Sequence, residues 1–231
     1  MQKKAIEIVM SVLMLISIAT NVVYVLPTAA KAENEAQSKA VIVIDAGHGG
    51  VDPGKIGVNN VLEKDINLKI SLMLKENFEK EGYKVILTRT DDNGLYSKNA
   101  SNKKNEDMKK RCEIVANAGA KLVISIHQNS FSDEKVNGAQ VFYYSHSTEG
   151  KELANAIQNS LNTNIKRGND RVHKSNDNYY LLLNTPCPTV IVECGFLSNW
   201  EEATLLNTSE YQKEIADAIA KGALEYLQKA E

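Results

Sequence analysis

Val41-Ile42-Val43-Ile44-Asp45 (VIVID), running directly into Ala46-Gly47-His48-Gly49-Gly50, is the stretch on which the fold turns. Four consecutive β-branched residues with no polar alternation describe a strand buried on both faces, as in a parallel sheet covered by helices. Its neighbours extend the pattern. From Lys64 to Lys80 the apolar residues Ile66, Ile70, Met73, Leu74 and Phe78 form a helical stripe, and Gly82 follows as a helix stop. Lys84–Thr88 (KVILT) is the next strand. Strand, helix and strand in this order predict an α/β fold: a single domain with a mixed, mostly parallel β-sheet flanked by helices on both faces.

The rest of the chain repeats the alternation. Asp91 to Asn105 is polar and reads as a surface loop, Glu106 to Asn117 as a helix stopped by Gly119, and Lys121–Ile126 and Ala139–Tyr144 as strands. Thr148 to Asn162 is helical, Lys166 to Asn178 a second polar loop, and Thr189–Glu193 (TVIVE) a buried strand. Asn199 with Glu202, and Ser209 with Gln212, have the spacing of capping pairs. The last helix runs to about Lys229 with Ile215, Ile219, Leu224 and Leu227 inward.

The first 32 residues stand apart. Lys3 and Lys4 precede a mostly apolar run from Ile8 to Val25, then Pro27 and the small-x-small site Ala30-Lys31-Ala32. Residues 1–32 are read as a secretory signal peptide; the other reading is an uncleaved segment that tethers the chain to a membrane. Residues 33–39 are polar and read as a linker, leaving 40–231 as the folded domain. The formal net charge is −2 with no basic run, which argues against nucleic acid as a partner. The three cysteines, Cys112, Cys187 and Cys194, are an odd number for an exported protein. A strand between Cys187 and Cys194 would hold them too far apart for a disulfide, so all three are expected as unpaired, buried thiols.

Chemistry-bearing residues gather at strand ends, where open α/β sheets bind ligands. The first strand ends at His48, the third at His127, and the last at Glu193, while Glu63 opens the first helix. Two histidines and a glutamate make a catalytic zinc triad, and a second carboxylate could then act as general base. Each has a plainer reading. The glycines around His48 could form a turn or cradle a phosphate, His127 could be a surface histidine, and Glu63 a first-turn acid favoured by the helix dipole. Glu193 is the least ordinary, because carboxylates seldom sit unpaired beside a buried strand. Cys194 could be a nucleophile but lacks an evident paired base, so packing is its expected role. His146 and His173 fall in polar loops, and Arg111 could brace the site or a partner surface.

The segments VIVIDAGHGGVDPG, NNVLEKDINL, TRTDD, LVISIHQNS, GAQVFYY and TVIVECGFLSNWEE resemble the zinc-dependent N-acetylmuramoyl-L-alanine amidases of bacterial cell walls, from about Val41 to Leu227. The region Leu95 to Arg111, the tract YYLLLN and the absence of wall-binding repeats resemble the germination-specific branch of spore formers. The resemblance implies one Zn2+ held by His48, Glu63 and His127, with Glu193 as catalytic glutamate. It makes 40–231 the zinc amidase domain, peptidoglycan the substrate, and the exported cell wall or spore cortex the location. Removing the stem peptide there would prepare the muramic δ-lactam, and the branch implies an accessory protein activator. Gln128-Asn129-Ser130 after Ser125-Ile126-His127 departs from the family pattern, where a small residue and Asn-Ala are commoner. Two alternatives stay open on the residues alone: another zinc-dependent peptidoglycan hydrolase, a deacetylase or peptidase, or a catalytically silent wall-binding protein.

Overall fold

The computed structural model describes residues 39–167 and 169–229. The expected signal peptide, and the expected linker apart from Lys39, lie outside the described residues.

Six strands form one sheet: β1 (Val41–Ala46), β2 (Lys84–Leu87), β3 (Leu122–Asn129), β4 (Gln140–Tyr143), β5 (Lys174–Ser175) and β6 (Thr189–Phe196). Their order is β2-β1-β3-β6-β4-β5. β2, β1, β3 and β6 are mutually parallel, β4 is antiparallel to β6, and β5 is parallel to β4. The helices are α1 (Glu63–Lys80), α2 (Lys103–Ala118), α3 (Thr148–Asn164), α4 (Tyr180–Leu183), α5 (Trp200–Leu206) and α6 (Ser209–Lys229).

The two faces of the sheet are covered unequally, and strand alternation decides which residue meets which cover. Ile42, Ile44, Leu122, Ile124, Ile126, Val190 and Val192 point into the larger core with α1, α3, α5 and α6. Val43 and Val123 point the other way, into a small cluster with Val115 of α2 and Leu181 of α4. On the α2/α4 side, the last residues of that face, Asp45, Ser125, His127 and Glu193, border a cleft. The chain passes from β1 outward to β2 and back across to β3, so this rim is also the switch point of the sheet.

Several boundaries differ from the sequence reading for local reasons. β3 and β6 each continue three residues past their apolar runs, to Asn129 and Phe196, with a register irregularity between His127 and Asn129. α2 begins at Lys103, inside the expected loop, because the Asn102 side chain accepts the Asn105 amide as an N-cap. YYLLLN contains the short helix α4. Asn199 caps α5 by accepting the Glu202 amide, but Glu202 does not reciprocate: its carboxylate accepts the amides of Phe196 and Gly138. At α6 the capping hydroxyl belongs to Thr208, not Ser209, and the Gln212 side-chain Nε2 donates to the Leu206 carbonyl. All three cysteines are free thiols; Cys194 is buried, whereas Cys112 and Cys187 are only half-buried.

Candidate metal centre and cleft

His48, Glu63 and His127 come together although fifteen and sixty-four residues separate them in sequence. β1 delivers His48 through a turn in which His48 itself adopts φ 63°. α1 presents Glu63 as its first residue, and β3 presents His127 near its end. One ligand atom from each lies within 4.8 Å of the others. His48 Nε2 is 3.2 Å and His127 Nδ1 3.0 Å from Glu63 Oε1. Donors about 2.1 Å from a tetrahedral ion stand about 3.4 Å apart, so two imidazole nitrogens and one carboxylate at this spacing fit a small metal ion.

The surroundings hold these three groups in place. Asp52 Oδ2 lies 2.9 Å from His48 Nδ1, which orients the ring and leaves Nε2 facing Glu63. Glu63 Oε2 accepts the Lys55 amide at 2.7 Å, and Oε1 accepts the Gln128 amide at 3.0 Å. Gln128, where the chain departs from the family pattern, donates its side-chain amide to Asn67 Oδ1, and Asn67 donates to the Gly47 carbonyl. Two glycines are required by contact. A Cβ on Gly47 would lie 2.3 Å from the His127 ring, and one on Gly54, at φ +66°, 2.6 Å from Glu63 Oε2.

Electrostatics follow from the geometry. Burial alone would raise the Glu63 pKa, but the two imidazoles beside it hold its carboxyl far below the usual range. Burial pulls His48 down, yet Glu63 and Asp52 outweigh it and raise its pKa to about 9.

Beneath it sits a charged network that sequence reading touched only through Arg111. Arg111 is 1 % exposed and donates to Asp45 Oδ1 (2.6 Å), Asp107 Oδ2 (2.5 Å) and the carbonyls of Ala46 and His48 (both 2.7 Å). Arg89 donates to the carbonyls of Ala46, Gly47 and Lys64. Two guanidiniums thus fix the backbone that carries His48. Asp45 also accepts the hydroxyls of Thr88 and Ser125. Burial raises its pKa, but Arg111 and these hydroxyls overcome that and lower it to about 2. Asp45 and Arg89 were not singled out as site residues, although an acid ending a β-branched run was a usable signal.

Glu193 is paired with His127 across β3 and β6, and it lines the same cleft. It is 6 % exposed. Oε1 lies 3.3 Å from the Tyr179 hydroxyl, while Oε2 is buried with no hydrogen-bond partner. Burial pushes its pKa up, with Glu63 acting in the same direction and His127 opposing. Tyr179 was missed because its signal is purely spatial: it precedes α4 and packs edge-on against Phe142. Cys194 belongs to the opposite, larger core and its thiol is pushed well up by burial, so it is a packing residue. His146 and His173 stack near Tyr144 and Tyr143, outside the cleft. The cleft has a volume of about 750 Å³, and residues of α2 and the segment 178–181 line it.

Among solved structures, the chain superposes on the CwlD amidase from Clostridioides difficile, solved in complex with the GerS lipoprotein, with a TM-score of 0.80 and 43% identity over 83% of this chain and 100% of that one. The catalytic domain of CwlV, an N-acetylmuramoyl-L-alanine amidase from Bacillus (Paenibacillus) polymyxa, matches with a TM-score of 0.72 and 31% identity over 82% and 98% of the two chains. In sequence, the chain is 38% identical to the germination-specific N-acetylmuramoyl-L-alanine amidase of Bacillus subtilis, covering 82% of this chain and 80% of that protein. The family model for N-acetylmuramoyl-L-alanine amidase matches residues 42–225, a span that contains all four converging residues. By fold, by sequence and by the cluster at its sheet rim, the chain belongs to the N-acetylmuramoyl-L-alanine amidase family.

Proposed function

We propose that this amidase hydrolyses the bond between the lactyl group of N-acetylmuramic acid and L-alanine in peptidoglycan, with one zinc ion held by His48, Glu63 and His127 and with Glu193 as the catalytic carboxylate. The observation that carries this reading is the pairing of a three-donor cluster with a fourth carboxylate whose Oε2 is buried, unpartnered and in the same cleft. An N2O donor set suits zinc better than calcium or magnesium, which favour all-oxygen shells. When bound, zinc supplies Lewis-acid polarisation of the amide carbonyl and acidifies water. Glu193 Oε2 accepts the proton of the attacking water and returns it to the amide nitrogen as the C–N bond breaks, releasing the stem with a free L-alanine amine. A carboxyl whose pKa burial has raised is suited to both transfers. Tyr179 holds Oε1 and leaves Oε2 for this task.

The biological setting extends the same reading. The chain acts after export, in the wall or spore cortex, where it prepares muramic acid for δ-lactam formation; its likeness to a germination-specific amidase supports this. The C. difficile amidase in complex with a lipoprotein supports an accessory protein for this chain as well. Among the described residues no helix is long and apolar enough to cross a membrane.

Mass spectrometry of peptidoglycan treated with residues 33–231 and zinc tests the reaction. Free stems beginning with L-alanine support it. Lost acetyl groups would identify a deacetylase and cuts within the stem a peptidase, while absence of products from zinc-loaded protein, with and without its accessory partner, would favour a wall-binding role.

A further inference from the structure

Two lysines line the cleft at the start of α2. Lys103 and Lys104 are the first two residues of that helix. This is the least favourable place in a helix for lysine, because the helix dipole is positive at its N-terminus. Nor are the lysines held in ion pairs. Among the described residues neither forms an ion pair, and Lys103 Nζ sits 5.3 Å above the Tyr96 ring centroid. The nearest acids of α2 are engaged elsewhere: Glu106 accepts from Ser97, and Asp107 from Arg111 and the Leu95 amide. Asp52, whose field reaches Lys104, is held by His48 and the Gly54 amide. Asn178, Tyr179 and Tyr180 line the same cleft with amide and phenol groups.

Two cations without an ion-pair partner, kept where they oppose helix stability and beside a cleft, indicate a ligand that compensates them. We propose that Lys103 and Lys104 are specificity-determining residues that bind the free α-carboxylate of the stem peptide's second residue, a D-glutamate joined through its side-chain carboxyl. This rests on the amidase reading, and it sets the polarity of the substrate. The anionic peptide arm meets the first turn of α2. Tyr96 ties this first turn to the His48 turn, since its ring sits under Lys103 while its hydroxyl accepts the Val51 amide.

The test uses zinc-loaded full chain carrying Glu193→Gln, so that binding is read without turnover. Two probes, muramoyl-L-alanyl-D-isoglutamate and its D-isoglutamine twin, differ only in that carboxylate. Calorimetry should give about fivefold tighter binding of the carboxylate form, the size expected of a partly exposed ion pair. In a chain that also carries K103Q and K104Q the ratio should fall to about one, with no loss of thermal stability. Equal binding of the two probes, an unchanged ratio in the lysine variant, or no binding of either probe would overturn the inference. Stem release by the wild-type chain, measured separately, judges the amidase reading whichever way the binding ratio falls.

Discussion

Replacing Gly47 by alanine tests whether His127 is a metal ligand without touching any ligand. The added Cβ would stand 2.3 Å from Cε1 and Nε2 of the His127 ring, where ordinary contacts begin at 3.4 Å. The backbone cannot easily retreat. The Gly47 amide donates to the Ile126 carbonyl, and the Gly47 carbonyl accepts from Asn67 and Arg89. The ring must therefore move, by about 1 Å, because repulsion at such overlap far exceeds any single contact energy. Metal–nitrogen bonds tolerate displacements of only about 0.2 Å, so His127 should be lost as an effective ligand. Zinc affinity should fall by at least about 100-fold, or about 3 kcal/mol, the upper end of what disturbing ligand orientation alone produces. Zinc dissociation constants from chelator competition read this directly, and circular dichroism of the metal-free protein checks that the fold survives. Wild-type zinc affinity in a folded Gly47→Ala chain would refute the placement of His127 in the metal shell.

Other outcomes follow from the same geometry. Glu193→Ala should retain zinc and lose turnover by about 100-fold or more, as judged by stem-peptide release; normal cleavage would remove Glu193 from the mechanism. His48→Ala should lose zinc by elemental analysis. The His48 pKa of about 9 in the metal-free pocket means that protons compete with zinc: the apparent dissociation constant should tighten with pH, approaching about tenfold per unit, between pH 7 and 9 and level off above. A raised histidine pKa also stabilises the metal-free fold at low pH, an effect lost as pH climbs through about 9. Asp45 behaves oppositely. Its lowered pKa contributes about 2 kcal/mol that is fully present above about pH 4 and lost as pH falls toward 2, which urea unfolding at a series of pH values would read. Arg111→Met should destabilise by about 3–5 kcal/mol in the same assay, because it leaves Asp45 buried without its counter-charge.

The chain's own order of residues determined much of this protein. Uninterrupted β-branched runs announce strands covered on both sides, and helical stripes between them dictate crossovers, so an α/β sheet with ligands at its rim follows from periodicity alone. His48, His127 and Glu193 were legible because each ends such a run, and Glu63 because it opens the first helix. What local pattern could not supply was the unequal cover of the two faces. Alternation fixes that Asp45, Ser125, His127 and Glu193 share a face, but only the packing on the α2/α4 side makes that face border a cleft. Tyr179 meets Glu193, Arg111 reaches the His48 carbonyl, and Lys103 faces the cleft only once the chain is folded. These are contacts between elements far apart in sequence, and no propensity or spacing within a segment encodes them.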